Sequence, residues 1–426
     1  MTFDPATEVQ NFLAFGEFGD VNPSICDSST YTFMSVAKME EAFEHDMEGC
    51  FLYSRHWNPT NKALSAALAR MENGECAQVM ASGMAAISST LLQLCSSGDE
   101  IVSGRTVYGG TYALLANLLP RFGITTRFVD LGDEKAVRAA MTPKTRVLYC
   151  ESMSNPLLEV ANIPALSRLA VEHGARLVVD NTFSPLILSP LRLGAHAVVH
   201  SMTKFINGTS DCVAGCVISS NDFIAQLNDV NSGPSMLFGP VLDSIRAASI
   251  LKNLHSLHVR LVRHSQNASY LARRFQEAGL TVHYPGIESH PQHHLMLRLM
   301  NPGFGFGGIV AVDVGSKSMA DRFMVRMQEE KVGYLAVSLG YFKTLFSAPG
   351  HSTSSEIPSE ERERMGMGDG LIRFSVGLDN DMERTWSAIS GCLGELGVDV
   401  SSVRTGDSAF ARAGDFRPST SSVHTS

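Results

Sequence analysis

The chain has 426 residues, of which 44% are hydrophobic, and a formal net charge of -9 at pH 7. This length exceeds the size at which a single hydrophobic core keeps growing, so two domains are expected. The negative charge argues against a nucleic acid or an anionic membrane as partner, because both favour basic surfaces. No apolar run reaches the ~18 residues of a membrane span and no basic leader precedes an apolar core, so we expect a cytoplasmic protein.

The cysteines favour the same compartment. The chain has eight, scattered through apolar surroundings, with neither the dense spacing of a disulfide scaffold nor paired zinc ligands. The closest pair, Cys212 and Cys216, is expected to lie along a buried strand rather than around a metal. No metal site is predicted.

Helical and strand patterns alternate in the first half of the chain. Apolar residues at helical spacing predict helices at residues 63–71, 84–94, 111–119, 134–140 and 163–173. Short apolar runs predict strands at residues 100–102, 126–129, 146–149, 176–179 and 197–199. Strands that are apolar on both faces and separated by helices indicate an α/β fold with a mostly parallel sheet. Ligands of such sheets bind outside the carboxyl ends of the strands, where Asp180 and Ser201 lie.

Beyond about residue 219 the pattern indicates a smaller α+β domain. The expected elements are a long helix at 237–257 that continues toward residue 277, strands at 295–299, 309–313 and 371–376, and helices at 319–328 and 382–393. Residues 303–308 satisfy the pattern GxGxxG but precede a strand instead of opening a helix, which indicates a turn and not a phosphate site. Residues 401–426 lack apolar periodicity and are expected to form a disordered tail.

The most informative feature is a lysine between hydroxyl groups. Lys204 follows Ser201 and Thr203, downstream of the apolar run that ends at Asp180. Pyridoxal phosphate (PLP) needs a lysine for its aldehyde, an acid for its pyridinium nitrogen and hydroxyl donors for its phosphate. A lone lysine is most often a surface residue. The combination of these groups therefore predicts a PLP site.

Two further segments fit such a site. Gly83 follows Ser82 just before a predicted helix, and a helix N-terminus with an approachable glycine backbone can bind a phosphate. Tyr108 lies in a loop at another helix start, where its ring could stack on a planar cofactor. Alone, each would be interpreted as ordinary capping or packing.

An amide and a guanidinium are candidates for substrate binding. Asn155 follows the strand that ends near Glu151, so its amide is expected at the same edge of the sheet. Arg373 is a charge within an otherwise apolar strand and needs an anionic partner. A substrate carboxylate and an internal salt bridge both meet this need, so the residues alone leave both interpretations open.

The ordered motifs resemble those of a known enzyme family. They are Tyr53-Ser54-Arg55-His56-Trp57-Asn58-Pro59-Thr60, Ser82-Gly83-Met84-Ala85-Ala86, Val107-Tyr108-Gly109-Gly110-Thr111, Ser154-Asn155-Pro156, Val179-Asp180-Asn181-Thr182, His200-Ser201-Met202-Thr203-Lys204 and Val337-Ser338-Leu339-Gly340. These motifs are similar to those of the PLP enzymes of cysteine and methionine metabolism, the trans-sulfuration enzymes. That family includes methionine γ-lyase, cystathionine γ-lyase and γ-synthase, and O-acylhomoserine sulfhydrylase, and the chain looks most similar to the plant-type methionine γ-lyases.

The resemblance implies a fold and an assembly. The fold is the PLP-dependent transferase fold type I, which is aspartate aminotransferase-like. The resemblance divides the chain into three parts. These are an N-terminal arm at 1–60 that contacts a neighbouring subunit, a PLP-binding large domain at 61–250 and a C-terminal α+β domain at 251–400. The usual assembly of the family is a homotetramer, a dimer of dimers with shared active sites.

The resemblance also implies roles for site residues. Lys204 forms the Schiff base with PLP, Asp180 holds the pyridinium nitrogen and Tyr108 stacks on the ring and assists proton transfer. The implied phosphate contacts are Gly83, Met84, Ser201 and Thr203, with Tyr53 and Arg55 from the neighbouring subunit.

For the substrate, the resemblance implies that Arg373, Asn155 and the Ser338 region hold its carboxylate, which decides the open question on Arg373 in favour of substrate. Gly110 stands where bacterial methionine γ-lyases have a cysteine, whereas the plant-type enzymes also have glycine. Lys343 stands where many relatives have glutamate. Such a charge reversal either changes the preferred substrate side chain or leaves Lys343 pointing to solvent.

Three functions remain after this comparison of motifs. The leading one is γ-elimination on a sulfur-containing amino acid, which gives an α-keto acid, ammonia and a thiol. The alternative is γ-substitution on an O-acylhomoserine, with a sulfur, carbon or nitrogen nucleophile. A non-catalytic protein with a PLP fold is poorly supported, because it has no reason to keep Lys204, Asp180 and Tyr108 together.

Overall fold

A computed structural model describes residues 3–44, 49–352 and 356–400, so the predicted tail at 401–426 lies outside the described residues. The α-helices are α1 (Pro5–Gln10), α2 (Val36–Glu44), α3 (Pro59–Glu72), α4 (Gly83–Leu94), α5 (Gly109–Ala113), α6 (Glu134–Ala140), α7 (Ile163–Glu172), α8 (Asn221–Leu227), α9 (Pro234–Phe238), α10 (Ser244–Leu254), α11 (Leu257–Glu277), α12 (His293–Leu299), α13 (Lys317–Glu329), α14 (Ser359–Arg364) and α15 (Met382–Glu395). A π-helix (Leu114–Leu118) and two 3-10 helices (Leu119–Phe122 and Pro349–His351) complete the helical segments of these ranges.

The strands of the described ranges form two sheets. They are β1 (Cys76–Met80), β2 (Glu100–Gly104), β3 (Thr125–Val129), β4 (Thr145–Glu151), β5 (Arg176–Asp180), β6 (Ala197–Ser201), β7 (Gly215–Ser219), β8 (Thr281–His283), β9 (Ile309–Asp313), β10 (Gly333–Leu335), β11 (Thr344–Ser347) and β12 (Leu371–Ser375).

The first sheet has seven strands in the order β1-β7-β6-β5-β4-β2-β3. The pairs from β3 through β6 are parallel, whereas β7 runs antiparallel to both of its neighbours. The mostly parallel sheet predicted from the sequence is therefore confirmed. Its parallel strands all end at one edge, so Glu151, Asp180 and Ser201 lie near one another on adjacent strands.

Helices cover both faces of this sheet because its strands are apolar on both sides. Val178 packs in the same core as Ile87 of α4. Its neighbour Val179, which points the opposite way, packs in another core with Leu166 of α7. Because Asp180 alternates with Val179, its side chain lies on the face that α4 covers.

The second sheet has five strands in the order β10-β11-β12-β9-β8. β12 is central and pairs antiparallel with both β11 and β9. The core between this sheet and helices α11, α13 and α15 contains Phe275, Phe323, Phe374 and Trp386. This is the smaller α+β part expected from the sequence.

Two predictions about the second half were wrong. The expected strand at 295–299 is the helix α12, because local contacts override the alternating leucines: His293 Nδ1 donates to the Pro285 carbonyl oxygen at 2.7 Å, and its ring stacks on Phe306. The expected continuous helix from residue 237 is three helices, α9 to α11. Gly239, with φ of +62°, ends α9 in the left-handed conformation, and Asp243 then caps α10.

Two smaller expectations can also be compared with the fold. The strand expected to hold both Cys212 and Cys216 begins at Gly215, so it contains only Cys216. Residues 303–308 form a turn, with positive φ at Gly303, Gly305 and Gly307, as interpreted from the sequence. None of the helices within the described ranges is long and apolar enough to cross a membrane.

Candidate active site

A cavity of about 280 Å³ lies at the carboxyl edge of the first sheet. Most of the site residues expected from the sequence line it: Gly83, Met84, Tyr108, Asn155, Asp180, Ser201, Thr203, Lys204 and Arg373. The strand ends and α4 supply one wall, and β12 of the second sheet supplies Arg373 on another. The two sheets therefore build the cavity together.

Asp180 is a buried carboxylate at the end of β5. Its Oδ1 accepts hydrogen bonds from the Thr182 amide at 2.9 Å and the Thr182 hydroxyl at 2.6 Å. The Thr182 hydroxyl oxygen in turn accepts from the Ser201 amide at 2.8 Å, which ties the ends of β5 and β6 together. Burial raises the pKa of Asp180, although the bonds from Thr182 oppose this shift. A cation such as a pyridinium would stabilise the ionised carboxylate.

Lys204 follows β6 and points into the cavity. Its Nζ donates a hydrogen bond to Ser338 Oγ at 3.3 Å. Burial lowers the pKa of Lys204 to about 8, and the positive charge of Arg373 contributes to the shift. A substantial fraction of the amine is therefore neutral near physiological pH, as attack on an aldehyde or transfer of a proton requires.

The N-terminus of α4 forms a cradle for an anion. Ser82 caps the helix, its Oγ accepting from the Ala85 amide at 3.0 Å. A Cβ on Gly83 would lie only 2.7 Å from Ser201 Cβ, so glycine is what allows the helix to approach the end of β6 this closely. The amides at this helix N-terminus and the Ser201 and Thr203 hydroxyls line the same cavity, an arrangement that suits a phosphate. The Thr203 hydroxyl also exchanges hydrogen bonds with the Ala214 backbone.

Tyr108 immediately precedes α5, and its side chain is 40% exposed toward the cavity opening. The Tyr108 amide donates to Glu151 Oε1 at 2.6 Å, which holds the backbone of this loop at the sheet edge. The ring extends over Gly110, where a Cβ would lie 2.5 Å from Tyr108 Cε1. The glycine at position 110 therefore permits this position of the ring.

Arg373 is a nearly fully buried cation, 2% exposed. Its Nη1 donates to Asn155 Oδ1 at 3.0 Å, and its Nε has no hydrogen-bond partner within the described residues. Burial lowers the pKa of Arg373 to about 10, so the guanidinium stays charged at neutral pH. Within the described residues its side-chain hydrogen-bond partner is the neutral amide of Asn155, while the nearby Glu151 stabilises its charged form.

Three expected residues do not line the cavity. Ser338 reaches it only through its hydrogen bond with Lys204. Tyr53 and Arg55 lie elsewhere: Tyr53 forms a β-bridge with Thr30, and the Arg55 guanidinium lies 5.8 Å from the centre of the Tyr53 ring.

Lys343 neither lines the cavity nor extends freely into solvent. Its Nζ lies 3.4 Å from Asp379 Oδ1, and its side chain is 27% exposed. Asp379 therefore neutralises the positive charge of Lys343.

Sequence reasoning missed several wall residues: Glu151, Met153, Phe183, Val213, Val337 and Leu339. Glu151 could have been found, because it ends a predicted strand at the same edge as Asp180. Burial and the charge of Asp180 raise the pKa of Glu151 to about 8. The apolar wall residues carry no chemical signature, so only the packed structure identifies them.

The residues present fit PLP. The cavity offers a buried carboxylate for the ring nitrogen, an amine of lowered pKa for the aldehyde and a helix N-terminus that only glycine lets approach Ser201. Each of these features opens toward the same cavity.

Comparisons with known proteins give the same result. The family described as "Cys/Met metabolism PLP-dependent enzyme" matches residues 9–383. The methionine gamma-lyase of Arabidopsis thaliana is 44% identical over 391 residues, which cover 90% of this chain and 89% of that protein. The O-succinylhomoserine sulfhydrylase of Pseudomonas aeruginosa is 36% identical over 88% of this chain and 92% of its own.

Solved structures agree in fold. A cystathionine gamma-lyase from Lactobacillus plantarum, complexed with L-serine, superimposes with a TM-score of 0.83 at 29% identity, covering 94% of this chain and 100% of that one. A putative O-acetylhomoserine (thiol)-lyase from Campylobacter jejuni has a TM-score of 0.85 at 26% identity, covering 92% and 100% respectively, and contains N'-pyridoxyl-lysine-5'-monophosphate. With these matches over nearly its whole described length and a cavity suited to the cofactor, the chain belongs to the Cys/Met metabolism PLP-dependent enzymes.

Proposed function

We propose that this enzyme catalyses γ-elimination on methionine or a similar sulfur-containing amino acid. Methionine and water would give α-ketobutyrate, ammonia and methanethiol. The observation that supports this most directly is that charged and apolar side chains line the same cavity. Its charged wall residues are Glu151, Asp180, Lys204 and Arg373, whereas Val213, Val337 and Leu339 offer apolar surface.

The polar groups account for the parts of an amino acid that all substrates share. Arg373 and Asn155 would bind the substrate carboxylate, because the guanidinium is charged at neutral pH and the Asn155 side chain fixes its orientation. Ser338 would contribute through its contact with Lys204. This leaves the apolar wall for the substrate side chain.

The cofactor contacts follow from the same cavity. Lys204 would hold PLP covalently, Asp180 would face its ring nitrogen and Tyr108 its ring. The phosphate would be bound by the amides of Gly83 and Met84 and the hydroxyls of Ser201 and Thr203. When bound, PLP supplies an electron sink that makes the substrate protons at Cα and Cβ removable.

Two side chains of this chain would move protons. Lys204, whose pKa is lowered to about 8, would take the Cα proton and then a Cβ proton, since the burial that lowers its pKa keeps the amine partly neutral. Tyr108, partly exposed at the mouth, would assist proton transfer at the substrate amine or at the departing sulfur.

The side-chain wall favours an apolar γ-substituent. A thioether methyl can be buried against Val337 and Leu339 at little cost, whereas a second charged amino-acid group would need a counter-charge there. Lys343, the nearest candidate suggested by the sequence, is paired with Asp379 and does not line the cavity. This supports methionine over cystathionine.

Incubation of the purified enzyme with methionine, followed by assay of α-ketobutyrate and thiol, tests the proposal. Keto acid is expected from methionine alone, at a kcat/KM above that for cystathionine. If product instead appears only when a thiol is added to O-acetylhomoserine or O-succinylhomoserine, the elimination proposal is refuted.

That outcome would indicate the second candidate, γ-substitution on an O-acylhomoserine. The observation in its favour is the 36% identity to an O-succinylhomoserine sulfhydrylase over 88% of the chain. The first steps at Lys204 would be the same in both reactions. We rank it second because a methionine gamma-lyase is 44% identical over 90% of the chain.

A homotetramer is proposed for the assembly, with Tyr53 and Arg55 of one subunit completing the phosphate site of its neighbour. Tyr53 is 47% exposed, and the arm at 1–60 exposes large apolar side chains, as interaction surfaces do. These side chains are Leu13, Phe15, Phe18, Val21, Ile25 and Met34.

We also propose a large domain at 61–250, a C-terminal domain at 251–400 and a cytoplasmic location. Light scattering should give the mass of four chains, and deletion of residues 1–30 should weaken both assembly and PLP binding. A fully active monomer would refute the shared site. Cell fractionation tests the location separately.

A further inference from the structure

Glu151 lies directly beside Asp180 at the end of the first sheet. The two residues are register partners on the parallel strands β4 and β5. Both are buried and both line the cavity. The proposed cofactor contacts use Asp180 but give no task to Glu151.

Each oxygen of the Glu151 carboxylate holds a different part of the site. Oε1 accepts a hydrogen bond from the backbone amide of Tyr108 at 2.6 Å, and Oε2 accepts one from the backbone amide of Asn155 at 2.9 Å. Asn155 in turn orients Arg373 through a hydrogen bond of 3.0 Å. One side chain thus connects the segment of the stacking ring to the segment that holds the substrate-binding guanidinium.

A carboxylate at this place is costly. Burial, and to a smaller extent the charge of Asp180, raises the pKa of Glu151 to about 8. The two hydrogen bonds from backbone amides and the charge of Arg373 oppose this increase. An apolar residue would avoid the cost but leave two buried amides without partners. A glutamine would accept from one amide and turn its own NH₂ donors toward the other. Only an acidic side chain of this length accepts from both.

We propose that Glu151 is a positioning residue that couples the Tyr108 ring to the Asn155–Arg373 pair, so that binding of a substrate carboxylate strengthens retention of the cofactor. The inference rests on the proposed binding of an amino acid at Arg373. The coupling arises because movement of Asn155 on ligand binding is transmitted through one rigid carboxylate to the amide of Tyr108.

The variant Glu151→Gln tests this inference, with Glu159→Gln as its matched control. Glu159 also links the two segments, accepting from the Thr106 hydroxyl at 2.5 Å while its own amide donates to Ser154 Oγ. It does not line the cavity. A role that is only structural, as a tie between loops, would affect both variants alike.

The measurement is the rate of PLP loss from the holoenzyme, with and without hexanoate, which carries the carboxylate but lacks the amino group that would displace Lys204 from PLP. Hexanoate should slow PLP loss in the wild type and in Glu159→Gln, but much less in Glu151→Gln. The KM for methionine should rise about tenfold in Glu151→Gln, as expected when a buried amide loses its hydrogen-bond acceptor. Circular dichroism and thermal melting establish that each variant is folded.

If Glu151→Gln does not fold, Glu151→Asp replaces it, because the shorter side chain keeps the charge but cannot reach both amides. Equal protection by hexanoate in all variants, or equal loss in Glu151→Gln and Glu159→Gln, would overturn the coupling. These readouts need no turnover. Failure of the proposed reaction would instead appear as a wild-type enzyme that is protected by hexanoate but releases no keto acid from methionine.

Discussion

Arg373 donates a hydrogen bond to Asn155 across 3.0 Å of space, although 218 residues separate them along the chain. Arg373 comes from the central strand of the second sheet, and Asn155 follows a strand of the first. The proposed substrate-binding part of the site therefore exists only when the two sheets are packed together. The buried Nε of the guanidinium has no hydrogen-bond partner within the described residues.

Replacement of this arginine by lysine should weaken substrate binding. Arg373→Lys keeps the charge but loses the planar fork that contacts Asn155 and a carboxylate together. We expect the KM for methionine to rise about 10- to 100-fold, the equivalent of one or two hydrogen bonds to a charged group, with a smaller change in kcat. Steady-state kinetics checks this.

The matched control is Arg138→Lys, because Arg138 is half exposed and pairs with Glu172 on the surface. Its kinetics should equal those of the wild type. An unchanged KM in Arg373→Lys would show that the substrate carboxylate binds elsewhere.

The lowered pKa of Lys204 predicts how PLP capture by the cofactor-free protein depends on pH. Only the neutral amine can attack the aldehyde, and the pKa is about 8. From pH 7 to pH 9 the neutral fraction should rise about tenfold and then level off, whereas an ordinary lysine would continue to gain well above pH 10. Stopped-flow absorbance of the band near ~420 nm measures the rate.

Three variants define this experiment further. Lys204→Ala should form no such band, while Lys252→Ala, at an exposed lysine of α10, should behave as the wild type. Arg373→Met should move the profile to higher pH, because removal of a neighbouring positive charge favours the protonated amine. A rate that keeps rising through pH 10 in the wild type would contradict the lowered pKa.

A methyl group on Gly83 should weaken cofactor binding. In Gly83→Ala the new Cβ would meet Ser201 Cβ at 2.7 Å and force α4 away from the end of β6. Overpacking of this kind typically costs ~1–3 kcal/mol, so the dissociation constant for PLP should rise about 5- to 100-fold. Equilibrium dialysis of the cofactor measures it.

Gly391→Ala is the corresponding control, since a Cβ at Gly391 in α15 would meet nothing within 4 Å. It should leave PLP affinity unchanged and stabilise the helix by ~0.5–1 kcal/mol. Wild-type affinity in Gly83→Ala would exclude the proposed phosphate cradle.

Charge reversal at Lys343 should have little effect on substrate preference. Lys343→Glu introduces the residue common among relatives, but the side chain is paired with Asp379 and does not line the cavity. The kcat/KM ratio of methionine to cystathionine should change less than about fivefold, the upper range for a partly exposed ion pair. Two adjacent carboxylates should also lower the melting temperature slightly.

Competition between the two substrates measures the ratio directly. Lys343→Met separates loss of the positive charge from gain of a negative one. A change well above tenfold in the kcat/KM ratio of methionine to cystathionine would show that the residue at position 343 does contribute to selection of the substrate side chain.

Much of the fold and the chemistry of the site follow from local sequence. Alternating helices and apolar runs predict a parallel sheet because each pattern fixes which faces are buried. Lys204, Asp180 and Gly83 are recognisable because each has a distinct chemical task at a strand end or helix start. The strand predicted at 295–299 fails because alternation of leucines cannot reveal the contacts His293 makes with Pro285 and Phe306.

The sequence by itself determined the cofactor and predicted its lysine and its acid, since these depend on residue types within short segments. Only the tertiary structure decided that Glu151 stands beside Asp180, that Arg373 meets Asn155 and that Asp379 neutralises Lys343. Strand register and the packing of one sheet on another bring together residues far apart in the chain. Such contacts depend on the whole folded core, so no local sequence pattern predicts them.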